Sequence, residues 1–325
     1  MSNLNPLLEI RNLRTEFLMP NKRHLVAVRD SSLHVDTGEI VGIVGESGCG
    51  KSITAYSILR IVPEPGRITA GEIHFLGEDL LCKSPEEMRT IRGKEITLIC
   101  QDPLSSLNPV YDIFWHFNEI FTAHGVEKSR AEKIEQTVGL LRTVGIVEPE
   151  RKLHQYPHQF SGGMRQRVVI AMAMLLQPKL IIADEPTTAL DVTTQRAIFD
   201  LLGGLRDQLG ISMIVISHDL YLIAEQCDRM YVMYGGEIME TGKAADVFTK
   251  PLHPYSAGLM DSIPSLSFHQ EHLSGIKGEF SSVFEENPKG CCFAGRCDRV
   301  GEECLTTRPE MREIQEGRFA RCLKA

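Results

Sequence analysis

The stretch Glu39-Ile40-Val41-Gly42-Ile43-Val44-Gly45-Glu46-Ser47-Gly48-Cys49-Gly50-Lys51-Ser52 decides the fold. Its first half is a short β-branched run, the pattern of a buried strand. Its second half fits G-x-x-x-x-G-K-S, and Ser52 to Leu59 continues with helical character until Pro63 and Pro65. Strand, glycine-rich turn and helix in that order form a cradle for phosphate. The glycines let the backbone curl so that N–H groups face phosphate oxygens, and the helix N-terminus adds positive potential. Lys51 is placed to reach β- and γ-phosphates, and the Ser52 hydroxyl to ligate Mg²⁺. Gly45, Glu46, Ser47, Gly48, Cys49, Gly50, Lys51 and Ser52 are therefore the candidate nucleotide-binding residues.

Working outward, Leu180 to Ala183 is a second buried strand, and it leads into Asp184-Glu185. A carboxylate at a strand end beside a phosphate loop suits Mg²⁺, which is the expected role of Asp184. Glu185 is then placed to orient or deprotonate an attacking water. Thr194 to Leu209 puts Ile198, Leu201, Leu202, Leu205 and Leu209 on one helical face, stopped by Gly210. Met213 to Ile216 is a third strand. This alternation implies a parallel sheet with helices on its faces. Between the strands, Ala131, Ile134, Val138 and Leu141 recur at helical spacing, so residues of about 103 to 178 are expected to form a helical insert. Gly235-Gly236 predicts a hairpin between Tyr231–Tyr234 and Glu237–Glu240.

Composition narrows the class. With 42% apolar and 24% charged residues, the chain is expected to be globular rather than disordered. A formal charge of -8 argues against a nucleic-acid partner, which selects for a basic surface. No signal peptide is expected from Met1 to Phe17, and the longest apolar run, Val168 to Leu176, is far short of the ~20 residues that span a bilayer. Nine cysteines without a secretory signal do not suggest a disulfide framework.

The remaining landmarks resemble those of the ABC ATPases. Phe160-Ser161-Gly162-Gly163-Met164 resembles their L-S-G-G-Q signature, with Phe160 for Leu and Met164 for Gln. In that family Ser161, Gly162 and Gly163 would reach the ATP held by the opposite subunit. Gln101 resembles the glutamine that senses Mg²⁺ and the γ-phosphate. Thr188-Ala189-Leu190-Asp191 resembles the loop that crosses the subunit interface, His218 the histidine that contacts the γ-phosphate, and Phe17 the aromatic that stacks on adenine. The resemblance implies an α/β fold of the P-loop ABC type, with a parallel sheet core, an antiparallel β subdomain and a helical subdomain. It also implies catalysis by Glu185, His218 and Gln101, with Mg²⁺ on Ser52, Gln101 and Asp184.

Gln101-Asp102-Pro103-Leu104-Ser105-Ser106-Leu107-Asn108-Pro109, Tyr156-Pro157-His158-Gln159 and Leu252-His253-Pro254-Tyr255 are similar to phrases of one subfamily. These are the D-type ATPase subunits of bacterial dipeptide and oligopeptide importers. That resemblance implies an ATPase domain over 1–263 and an extension over 264–325. It also implies a homologous second ATPase, two membrane permeases and an extracytoplasmic peptide-binding protein as partners, with the chain peripheral on the cytoplasmic side of the membrane. Importers of nickel, glutathione or sugars, and non-transport ABC ATPases, are the alternatives. Chromosome-type ATPases carry coiled-coil insertions of hundreds of residues, and the interval from Lys51 to Asp184 is far shorter. Cys291, Cys297, Cys304 and Cys322 follow C-x5-C-x6-C-x17-C, which with the subfamily resemblance implies a 4Fe-4S cluster acting as a structural staple. Zinc, unligated thiols and Cys292 in place of Cys291 remain open.

Overall fold

The apolar run ahead of the phosphate loop forms a strand because β-branched side chains pack well on both faces of a pleat, and Ile40–Val44 is buried at every position. The structure, a computed structural model, describes residues 6–20, 24–188, 190–263, 276–278 and 289–325. Much of the expected extension, and Ala189 of the expected interface loop, lie outside the described residues. In chain order the described strands are β1 (Leu8–Leu18), β2 (His24–Val35), β3 (Ile40–Val44), β4 (Gly66–Phe75), β5 (Glu78–Asp79), β6 (Ile96–Ile99), β7 (Leu180–Asp184), β8 (Ser212–Ile216), β9 (Arg229–Tyr234), β10 (Glu237–Lys243), β11 (Arg312–Gln315) and β12 (Arg318–Ala320). The chain divides into two compact units, one of Met1–Cys82 with Ile216–Ala325, the other of Lys83–Val215.

The first unit holds two sets of strands. One is antiparallel, in the order β2-β1-β4-β5, with Leu8 opposite Val35 on one side and Phe75 on the other. In the other, β3 runs parallel to β9, and β9 turns back into β10. That hairpin forms where the glycine pair predicts it. Gly235 and Gly236 have φ of 56 and 83, which the tight turn requires and other residues resist. β12 then pairs with the far side of β10, and β11 with β12.

The second unit is built from β6 and β7 in parallel, with β8 beside β7, and from the expected helical insert. The described helices of the insert begin with Pro103–Ser106 and run through Ile113–Ala123, Arg130–Thr143 and Pro149–Lys152 to Gly162–Met174, between Pro85–Ile91 and Val192–Leu209 of the same unit. Ser129 starts the second long helix by accepting from the Glu132 amide while Glu132 reaches back, a reciprocal cap. Val138 and Leu141 are buried as the spacing predicts, whereas Ala131 is exposed and Thr137 takes a core place, donating to the Lys133 carbonyl. Leu209, expected on an apolar face, is 54% exposed because it ends its helix ahead of the Gly210 cap.

The C-terminal residues lack apolar periodicity, and charge holds them. Arg308 reaches the Glu237 carboxylate at 3.0 Å, and Arg318 reaches Glu240 at 3.1 Å, both glutamates being buried. Glu240 also accepts from the amides of Leu252 and His253. Each carboxylate is therefore compensated, as burial demands.

His253 caps helix Pro254–Asp261 by accepting from the Tyr255 amide at Nδ1, and burial pushes its pKa down to about 3. A neutral folded imidazole and an unfolded one near the ordinary 6.5 leave stability untouched above that pH. As the pH falls below it, this group removes about 1.4 kcal/mol per pH unit, because the unfolded chain then binds the extra proton. His253→Asn keeps a capping acceptor but cannot titrate. Urea unfolding at about pH 5 and about pH 7 should therefore show a shallower loss in the variant than in the wild type. Equal losses in both proteins would remove this role.

Candidate functional site

In the first unit the loop from Gly45 to Gly50 leaves β3 and opens helix Lys51–Ile58, with Gly50 as its N-cap at φ 111. A side chain on Gly50 would run into the Ala27 carbonyl, and one on Gly45, at φ 148, into the Met233 carbonyl. The loop is further fixed by Gly236 N–H donating to the Cys49 carbonyl at 2.9 Å. Ser47 and Gly48 are exposed at its mouth.

Lys51 is 6% exposed, and its ammonium donates to the carbonyls of Gly45 at 2.8 Å and Glu46 at 3.0 Å. Those carbonyls hold the charge inside the curve of the loop. The Cys49 thiol is also buried, 3.8 Å from that ammonium, and burial pushes its pKa up. Ser52 follows Lys51 on the same helix. His218 is exposed just after Ser217, whose amide donates to the Ile43 carbonyl at 3.4 Å, so the same strand carries both loop and histidine segment. Phe17 lies half-buried near the end of β1, with its ring against Gly66.

In the second unit β7 ends on Asp184, which is 2% exposed. Burial, then the Asp184 charge, raises the neighbouring Cys100 thiol. Glu185 follows with φ 49, a left-handed conformation that turns the chain sharply off the strand. Gln101 Nε2 donates to Glu185 Oε2 at 2.9 Å, and the Thr188 hydroxyl donates to the same oxygen at 2.8 Å. Gln101 and Glu185, 84 positions apart, are thus joined into one polar cluster, with Asp184 preceding Glu185 in the chain. Ser161 caps helix Gly162–Met174, accepting from the Met164 amide. Asp191 caps Val192–Leu209, accepting from the amide and hydroxyl of Thr194, which hold its pKa low. The two caps are neighbours, for a side chain on Gly163 would meet the Thr194 methyl.

Sequence reasoning placed Thr188 in the interface loop but missed its bond to Glu185, and it gave Tyr255 no role. The signal for Tyr255 is its place in Leu252-His253-Pro254-Tyr255, a phrase quoted without a role. Its phenol, which burial pushes up in pKa, accepts from the Glu46 amide at 2.9 Å.

The expected 4Fe-4S cluster is overturned. Among the described residues, no group of three or more His, Cys, Asp or Glu side chains is placed to hold a metal ion. Cys291, Cys297, Cys304 and Cys322 do line one small cavity, but Phe293, Leu323 and other apolar groups share it. Burial pushes the Cys291 pKa up to about 11 and raises that of Cys297, so both are held as thiols where a metal needs thiolate. None of the nine cysteines is joined in a disulfide. The staple expected of a metal is supplied by the arginine pairs to Glu237 and Glu240.

The loop is the cradle of a phosphate-binding ATPase. Its glycines leave room that a Cβ would fill, and the Ser52 hydroxyl beside Lys51 is the kind of oxygen donor that Mg²⁺ accepts. Residues 28–188 match the ABC transporter family, and residues 239–304 match the oligopeptide/dipeptide transporter C-terminal region. The chain belongs to the ABC transporter ATP-binding proteins, in the branch that carries this C-terminal region. It is 44% identical to the probable peptide ABC transporter ATP-binding protein y4tR of Sinorhizobium fredii, covering 98% of this chain and 95% of that one. To the oligopeptide transport ATP-binding protein OppD of Salmonella typhimurium it is 42% identical, covering 98% and 94%. To that of Bacillus subtilis it is 43% identical, covering 99% and 89%. The solved ATP-binding cassette MJ0796, a dimer in a post-hydrolysis state bound to ADP and Pi, aligns at a TM-score of 0.65 and 26% identity over 73% of this chain and 98% of that one.

Gly50→Ala tests the cradle. The new methyl opposes both the φ of 111 and the Ala27 carbonyl, so the loop must shift. The variant should lose about 2 kcal/mol of stability. It should also lose the thermal stabilisation that MgATP gives the wild type, and retention of both would show a loop that tolerates the change.

Proposed function

We propose that this chain is the ATP-hydrolysing subunit that powers import of dipeptides and oligopeptides through an ABC transporter. The observation that carries it is the polar cluster in which Gln101 and Thr188 fix the carboxylate of Glu185 beside Asp184 at the end of β7. The relatives' names supply the cargo. They speak of peptides, which disfavours nickel, glutathione and sugars as well as a non-transport role.

Lys51, at the phosphate loop, meets the β- and γ-phosphates with its ammonium. Ser52, Gln101 and Asp184 are the residues that would hold Mg²⁺, which when bound would neutralise charge on those phosphates. Glu185 takes the attacking water, orienting it or accepting its proton. His218 contacts the γ-phosphate, and the ring of Phe17 stacks on adenine. Ser161, Gly162, Gly163 and Asp191 serve the ATP of the opposite subunit. Two such chains then close on two nucleotides, the second being a homologous ATPase.

Permeases and a substrate-binding protein complete the importer. No helix among the described residues is long and apolar enough to cross a membrane, so the path for peptide belongs to the permeases. The chain works from the cytoplasmic face, and residues 1–263 form the cassette to which 264–325 are appended. Of the apolar side chains after Gln101, Ile113, Phe114 and Phe117 are core, while Val110 and Tyr111 are exposed and are the ones free to meet a permease.

Glu185→Gln keeps the shape of the carboxylate and removes its charge and basicity. In the assembled transporter it should bind MgATP with unaltered affinity, while steady-state hydrolysis and peptide uptake fall at least about a hundredfold. Turnover at the wild-type rate would sink the assignment of Glu185.

A further inference from the structure

Glu46 sits at the second position of the phosphate loop, where a carboxylate repels an incoming polyanion. Arg296, from the C-terminal residues, meets it with a two-pronged contact. Nη1 donates to Oε2 at 2.7 Å and Nη2 to Oε1 at 3.0 Å. The Arg296 side chain is 10% exposed, and its fork is held from several directions. Nε donates to the Lys277 carbonyl at 3.0 Å, Nη2 also to the Gly278 carbonyl at 3.1 Å, and the guanidinium lies 5.8 Å from the Tyr234 ring centre. The amide of the same Glu46 donates to the Tyr255 hydroxyl at 2.9 Å. Tyr255 is fully buried against Tyr234 and Phe293, with ring centres 4.6 and 5.3 Å away. One loop residue is therefore gripped at its carboxylate and at its amide.

We propose that Arg296 is a positioning residue for nucleotide binding. Its guanidinium cancels the charge of Glu46 and, with Tyr255, holds the phosphate loop in its phosphate-accepting shape. A bidentate arginine suits this task because its fork fixes the carboxylate's orientation as well as its charge. Binding is reciprocal, so nucleotide on the loop stabilises the residues around Arg296 as much as they stabilise it. The proposal rests on the ATPase reading above, and wild-type binding of MgATP tests that reading separately.

The experiment is a double-mutant cycle on the full chain, read by equilibrium binding of MgATP and by protease sensitivity of the C-terminal residues. Arg296→Ala should weaken MgATP binding about tenfold, the loss expected for a charge-assisted contact. In the assembled transporter KM for ATP should rise by a similar factor, with kcat changed by less than about twofold. Arg296→Lys, which keeps charge but loses the fork, should fall between the two. In a Glu46→Gln background the same Arg296→Ala change should alter binding by less than about twofold, since the charge it answers is gone. MgATP should protect the C-terminal residues from protease in the wild type and not in Arg296→Ala. Equal effects of Arg296→Ala in both backgrounds, or a fall in kcat at constant KM, would overturn the proposal. Should Arg296→Ala fail to fold, the Arg296→Lys effect with and without Glu46→Gln decides in the same way. A wild type that does not bind MgATP would overturn the ATPase reading itself, and this proposal with it.

Discussion

A lysine ammonium almost out of reach of water is the constraint on which the nucleotide half of the first unit depends. Among the described residues, Lys51 is held by the carbonyls of Gly45 and Glu46 and has no carboxylate as a hydrogen-bond partner. Backbone dipoles can hold a positive charge without neutralising it, so the charge stays available to an anion. This requires the loop to curl tightly enough to aim two carbonyls inward, and that curl requires glycine at Gly45 and Gly50. It also requires rigid surroundings, which β3, β9 and the β9–β10 turn supply through the contacts of Gly45, Gly50 and Gly236.

The second unit solves a complementary problem with negative charge. Asp184 is buried as the last residue of β7, and Glu185 leaves the strand in a left-handed conformation, so the pleat stops between the two acids. Two donors on one Glu185 oxygen, from Gln101 and Thr188, fix the orientation of the carboxylate. The caps at Ser161 and Asp191 show the same economy of means, each using a short side chain to satisfy a helix amide.

What could be read in the sequence follows from where the physics is local. The phosphate loop, the strand before Asp184 and the Gly235-Gly236 turn are set by residues next to one another, and each appears where the pattern predicts. The antiparallel strands were foreseen as a subdomain but not located. In β1 the register shifts between Ile10 and Leu13, where Asn12 has φ 48, and the shift breaks the two-residue alternation that marks a strand. The strands β11 and β12 were not foreseen at all. Their short runs mix charged and apolar residues, and Arg318 of β12 pairs with Glu240, 78 positions earlier, a relation that apolar patterning does not record. The cysteines misled for a related reason. Spacing gives the order of thiols along the chain, whereas ligation depends on their directions and on a charge state that burial opposes. The polar cluster at Glu185 lies between these cases, because Gln101 and Glu185 were each singled out while the bond between them was not.

Glu237 and Glu240 also constrain how such a chain can evolve. Each is a buried acid on β10, and its principal cations arrive from the last stretch of the sequence. A shorter descendant that dropped those residues would leave Glu237 to Arg29 at 3.7 Å, Glu240 to the amides of Leu252 and His253, and a strand edge uncovered. Replacing the glutamates first, with the arginines still present, would strand the cations instead. Loss of the C-terminal residues therefore requires several changes together, each harmful when made alone.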